Sequence, residues 1–175
     1  MLNHILVPLD GSAVARQAIE HGLKIVDPKG RITFVTAIDM PEMMPGDFYP
    51  VVGASLGSVA VNGIKDRSTQ PDDLVSQARE YLETMAQRVA ANSDLQIDSR
   101  IEIDEPAVVI LKIATELDVD AIVMSTHGRS GLSRWLFGSV TTKVLNHADR
   151  PVYVIPSQDR RKLTGVNKTV DAAEE

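Results

Sequence analysis

The chain alternates short apolar runs with stretches whose apolar residues recur every three or four positions. Ile5 to Leu9, "ILVPL", is a continuous apolar run closed by Asp10-Gly11-Ser12. Such a run suits a parallel strand buried on both faces. Ser12 is a candidate N-cap for a helix whose apolar face is Val14, Ala15, Ala18, Ile19, Gly22, Leu23 and Val26. Asp27-Pro28-Lys29-Gly30 stops that helix, and Ile32 to Ile38 reads as a second strand. Pro71-Asp72-Asp73 opens a helix with an apolar stripe of Leu74, Ala78, Leu82, Met85 and Val89, flanked by Tyr81. Ile97, Ser99, Ile101 and Ile103 then alternate with Asp98, Arg100 and Glu102, the period of a half-exposed edge strand. Glu105-Pro106 starts a helix with Val109, Ile110, Ile113, Ala114 and Leu117 on its apolar face. Asp120 to Ser125 is a fourth strand, Val140 to His147 a short helix capped by Ser139, and Pro151 to Pro156 a fifth strand.

Strands and helices thus alternate, the mark of an α/β domain with a mainly parallel sheet. Right-handed crossovers put helices on both faces. The edge character of strands three and five predicts a Rossmann-like open five-stranded sheet of order 3-2-1-4-5. In that order strands one and four are neighbours and the winding reverses between them, where ligands bind beyond the carboxyl ends. The segments that meet there are Pro8-Leu9-Asp10 and Met124-Ser125-Thr126-His127-Gly128.

Two segments break the rhythm. Met40 to Gln70 carries three prolines and four glycines with no sustained period. A loop of that length is functional or disordered, and its Met40, Met43, Met44, Phe48 and Tyr49 suit either a lid or partner surface or a plain crossover. Residues 157–175 are polar and aperiodic and read as a disordered tail. One domain over 1–156 is therefore expected. The 175 residues suffice for one core. A net charge of −6 argues against nucleic acid or an anionic membrane as the main partner. With no cysteine, disulfides and thiolate sites are excluded. No signal peptide or membrane span is evident, so a cytoplasmic location is expected.

The chemistry concentrates in "MSTHGRSGLSRWLFGS", Met124 to Ser139. Glycines let a backbone approach a ligand closely, and successive N–H groups there form anion-binding concavities. A helix N-terminus adds free N–H groups and positive dipole character. One reading is therefore two N–H clusters, at 126–130 and 138–141, clamping a polyphosphate, with Asp10 at the sugar hydroxyls. Leu132, Trp135, Leu136 and Phe137 would anchor the turn between them. The other reading is that the glycines only shape a long β–α connection. Neither G-x-G-x-x-G nor G-x-x-x-x-G-K-[ST] is present. His127 with Ser130 and Asp10 does not form a credible triad, because Ser130 lies in no G-x-S-x-G elbow. His4, His21 and His147 lack metal-ligand spacing, so no metal site is expected.

"ILVPLDGS", "VDAIVMSTHGRSGLSRWLFGSVTTKVL" and "RPVYVIP" resemble the universal stress protein family over about residues 2 to 156. The family's nucleotide-binding branch carries G-x2-G-x9-G-[ST]. Gly128, nine intervening residues and Gly138-Ser139 match it, while Ser125 stands where the first glycine would be. The resemblance implies ATP as ligand, with or without magnesium. It implies Pro8, Leu9 and Asp10 along the adenosine, with Asp10 at the ribose, and Ala37 and Met124 near the adenine. It implies Gly128, with His127 and Arg129, at the phosphates, and Gly138, Ser139, Val140 and Thr141 holding them from the helix start. It also implies a homodimer paired through the last strand, Val152, Tyr153, Val154 and Ile155.

The function expected is a cytoplasmic, dimeric, ATP-binding stress-response sensor or regulator. Two alternatives stand beside it. One is a slow ATPase or phosphotransferase, against which the motif offers no evident water activator or metal anchor. The other is a dimeric interaction module that binds no nucleotide, with Ser125 as the lesion.

Overall fold

The computed structural model of the protein describes residues 1–39, 71–126 and 137–156. Nine elements follow one another among them: β1 (Leu2–Pro8), α1 (Ala15–Ile25), β2 (Val26–Ile38), α2 (Pro71–Ala90), β3 (Gln96–Ile103), α3 (Pro106–Glu116), β4 (Ala121–Thr126), α4 (Ser139–His147) and β5 (Val152–Pro156). The sheet order is β3-β2-β1-β4-β5 and every pair is parallel, as the sequence pattern predicts. The Met40–Gln70 segment, the anchoring role of Leu132, Trp135 and Leu136, and the tail lie outside the described residues.

The sheet divides the core in two. Ile5, Val7, Leu9, Ile32, Phe34, Ala121 and Val123 pack under α1 and α2, which supply Ala15, Ala18, Ile19, Leu82, Met85 and Val89. Leu6, Val35, Ile122 and Met124 pack under α3 and α4, against Val109, Ile110, Ile113 and Val144. Successive strand residues point to opposite faces, so the continuous apolar runs of β1 and β4 feed both clusters. β3 alternates because it lies at the edge: Ile97 and Ile101 pack on the first cluster while Asp98 and Arg100 face solvent.

Several boundaries differ from the pattern-based reading, β1 among them, which runs Leu2–Pro8 where the pattern gave 5–9. α4 begins at Ser139 with Gly138 as its N-cap, so Ser139 is the first helical residue and not the cap. Strand β4 takes in Thr126, which the pattern left in the following turn. Helix α1 runs from Ala15 with Val14, not Ser12, in the N-cap position, and Ser12 Oγ accepts the Ala15 N–H at 3.0 Å in the turn before it. Leu23 is exposed and Val26 belongs to β2, so the buried stripe of α1 is narrower than expected. β2 is correspondingly longer at its start. Val26 pairs with Leu2 and Arg31 with His4, and residues 27–30 form the irregularity between those pairs. Within it the Lys29 N–H donates to Asp27 Oδ1 at 2.9 Å. Phe137 is 48% exposed, so it is not sunk in the core as an anchor of the turn would be.

Candidate functional site

β1 and β4 share a short ladder, Ile5 with Ala121 and Leu6 with Ile122. Beyond it β1 stays with β2 to Pro8–Val35, and β4 stays with β5 to Thr126–Pro156. The strands part toward their carboxyl ends, at the place where the winding reverses, and that parting makes a crevice. Carried on, the register sets Leu9 level with Ser125 and Asp10 level with Thr126.

The β1 side is rigidly held. The Leu9 N–H donates to the Val35 carbonyl at 2.8 Å, and the Thr36 hydroxyl donates to the Leu9 carbonyl at 2.8 Å. The Leu9 side chain is sunk in the core, so it supports the floor of the crevice and Pro8, half-buried, forms more of the wall. Asp10 follows, its Oδ1 accepting the Ser12 N–H at 2.9 Å. Gly11 between them has φ 79°, a conformation that disfavours any side chain. The turn therefore fixes where the Asp10 carboxylate stands, half-buried beside α1. Tyr81 of α2 senses the same charge. Burial pushes its phenol above the usual value, Asp10 pushes the same way, and Arg16 and Arg88 oppose.

On the β4 side, Met124 and Thr126 are buried toward α3 and α4 and Ser125 points to the α1 face. Ala37, Met124 and Val140 come together on one apolar cluster, though they stand on β2, β4 and α4. The Ser125 Oγ is buried and has no hydrogen-bond partner among the described residues. Gln17 Oε1 on α1 and the Tyr81 hydroxyl share that condition. An unpaired buried polar atom costs about 1–3 kcal/mol.

The third wall is the start of α4. Gly138 has extended backbone, φ −65° and ψ 167°, and no side chain caps the helix. A Cβ on Gly138 would meet nothing within 4 Å among the described residues, so on their side the approach to the first turn is open. The first helical bond runs from the Thr142 N–H to the Gly138 carbonyl at 2.9 Å. The N–H groups of Ser139, Val140 and Thr141 precede it, where a helix has no carbonyl of its own to offer them. His127, Gly128 and Arg129 lie outside the described residues.

A family model described as the universal stress protein family matches residues 1–156. The chain belongs to that family. Universal stress protein MJ0577 of Methanocaldococcus jannaschii is 27% identical over 158 residues, spanning 89% of this chain and 95% of that one. The solved structure of MJ0577 superposes with a TM-score of 0.65 at 24% identity, covering 89% of this chain and 96% of that chain. A universal stress protein solved in complex with cAMP superposes with a TM-score of 0.61 at 16% identity, covering 88% and 97% of the two chains. These likenesses establish the stress-protein fold.

Two features of the site escaped sequence reasoning. Lys143 on α4 donates to Glu105 Oε1, the N-cap residue of α3, at 2.5 Å. Glu105 had read only as a helix opener, and Lys143 carried no motif. The unpaired state of the Ser125 hydroxyl was equally invisible, because a residue type does not reveal whether its partner exists.

Proposed function

We propose that this universal stress protein binds ATP, with or without magnesium, in the crevice between β1 and β4, and acts as a dimeric regulator. The observation that carries the reading is the start of α4: an uncapped helix N-terminus with an open glycine, beside the parted ends of β1 and β4. Anions are stabilised at such a terminus by the free N–H groups and the helix dipole. Gly138, Ser139, Val140 and Thr141 would hold the phosphates. Asp10 would accept the ribose hydroxyls, and Ala37 and Met124 would border the base with Pro8 and Leu9 below. His127, Gly128 and Arg129 would complete the phosphate side. Magnesium would ride on the phosphates and water, its usual habit.

Strand β5 supports the dimer. It pairs with β4 on one side and has no strand on the other among the described residues, and Val152–Pro156 carries no charge. Tyr153 is exposed at that edge. A second copy pairing there across a two-fold would cover it. No helix among the described residues is long and apolar enough to cross a membrane.

Calorimetry with ATP and magnesium tests the reading directly, and absence of binding at millimolar ATP ends it. A parallel titration with cAMP is warranted because a member of the same fold was solved with that ligand. Tighter binding of cAMP than of ATP would replace the triphosphate by a cyclic monophosphate. Phosphate release from bound ATP that disappears in Gly138→Ala would move the assignment to the slow ATPase.

A further inference from the structure

Among the described residues, the buried side-chain oxygens without a hydrogen-bond partner are Ser125 Oγ, Gln17 Oε1 and the Tyr81 hydroxyl. They stand on β4, α1 and α2. Ser125 faces the side of the sheet on which both of those helices pack. The unmatched groups therefore belong to one side of the molecule. Folded proteins rarely leave such atoms unpaired, and each asks for a partner that the free chain does not supply.

Of the three, Ser125 alone is carried by a strand. It lies near the carboxyl end of β4, where β4 has left β1. The residue is half-buried while its Oγ is covered, so the atom lies shallow beside the crevice and not deep in the core. Neighbouring hydroxyls are already engaged. Thr36 donates to the Leu9 carbonyl, Thr126 has its own interaction, and Ser12 Oγ accepts the Ala15 N–H. Asp10 stands on the facing segment one residue beyond the level of Ser125, a rise of about 3.3 Å. It too lies on the α1 side, close enough for its charge to act on Tyr81.

We propose that Ser125 makes the crevice selective for a ribonucleotide, its hydroxyl donating to the sugar diol across from Asp10. The inference rests on the ATP reading above and adds the side chain that reads the sugar. The chemistry of the two groups is complementary. An ionised carboxylate only accepts hydrogen bonds, so Asp10 takes protons from the diol and offers none to its oxygens. A serine hydroxyl can donate, and Ser125 is the buried hydroxyl beside the crevice that stands unpaired among the described residues. The free chain carries the cost of that unpaired atom, and a bound ribose relieves it. A sugar without the diol leaves the cost in place, so discrimination comes from the hydroxyl being met or left bare.

The test is calorimetry on the full chain with ATP and with 2′,3′-dideoxyATP, each with magnesium, for the wild type, Ser125→Ala and Ser125→Gly. The wild type should bind ATP more tightly than the dideoxy analogue. Ser125→Ala should lose about tenfold in ATP affinity, the worth of one buried hydroxyl pairing. It should change affinity for the analogue by less than about twofold, and Ser125→Gly should do the same. Asp10 is present in every arm, so the change in the ratio reports Ser125 alone. Equal losses for both ligands, or an unchanged ratio, would overturn the proposal while leaving ATP binding intact. A wild-type protein that binds neither nucleotide overturns the ATP reading itself, before any variant is made. Far-UV circular dichroism of each variant separates lost binding from lost fold.

Discussion

The two ends of the sheet are built differently. At the amino end, polar groups are matched. Asp120 Oδ2 accepts the Asn3 and His4 N–H groups at 2.6 and 2.9 Å, and the Asp120 N–H returns to the His4 carbonyl at 2.8 Å. The His4 ring meets Thr33, and Arg150 holds both Asp118 and the Val119 carbonyl. At the carboxyl end, among the described residues, Ser125 Oγ and Gln17 Oε1 lie buried without partners and α4 opens without a side-chain cap. Polar satisfaction stabilises the first end. The second end leaves groups unmatched, as sites that await a ligand do. The two edges of one sheet thus differ in how fully their polar groups are satisfied, and the proposed site lies at the less satisfied edge.

Substitutions can break or sharpen that contrast. The largest effect is expected from a pair of glycines. A Cβ on Gly30 would stand 2.7 Å from the Asn3 carbonyl oxygen and 3.0 Å from that of Asp27, both backbone atoms that cannot swing away. Gly30→Ala should destabilise the fold by about 1–3 kcal/mol. Gly138→Ala meets nothing and should change stability by less than about 0.5 kcal/mol, yet weaken ATP. Urea denaturation beside calorimetry reads both. Similar stability losses at the two glycines would erase the contrast.

Next comes Asp120→Ala, which removes the acceptor of two backbone N–H groups at the β1–β4 junction. The site is open to water, so the expected loss is about 1–2 kcal/mol, below the full worth of two charged hydrogen bonds. Nucleotide affinity should be untouched. A variant that kept its stability but lost binding would reverse the roles of the two ends.

Acid should weaken the amino end first. Burial, then the nearby Arg31, hold the His4 imidazole below its ordinary value of 6.5, with Asp98, Asp120 and the Leu117 backbone pulling the other way. The unfolded chain therefore takes up the proton more readily than the folded one. Stability from the neutral ring is present above pH 6.5 and is lost as pH falls from there through the folded value. Asp120 acts lower down. Its hydrogen bonds from His4 and Asn3 hold the carboxyl below 3.8, so its contribution is full above that pH and lost beneath it. Denaturation from pH 7 to 5 should show falling stability in the wild type and a flatter profile in His4→Gln. Equal slopes would remove His4 from the account.

The smallest effect has the opposite sign. Ser125→Ala deletes an unpaired hydroxyl and should raise ligand-free stability by up to about 1 kcal/mol. A fall in the melting temperature would show that the hydroxyl is satisfied and that the carboxyl end is no looser than the other.

Much of this was legible along the chain. The runs 5–9 and 121–126 announce strands buried on both faces, and the alternation of 97–103 announces an edge, because each pattern records a local periodicity of burial. The α4 boundary was misjudged by one residue, since Ser139 is a good capping residue by type while Gly138 has the capping conformation. The glycine spacing pointed to the start of α4 as a candidate anion site. Nothing in it pointed to Lys143 or to the bare hydroxyls.

The amino-acid sequence by itself determined the element order, the α/β class, the order of the strands and the family. Those follow from short-range period and from a motif read along the chain. Only the tertiary structure decided that Asp120 would secure the start of β1, that Glu105 would hold Lys143, and that the Ser125 hydroxyl would be buried without a partner among the described residues. These pairings and failures to pair join residues up to 117 positions apart. They arise when packed helices and strands bring side chains together, and no local pattern encodes which polar atom will meet a partner there.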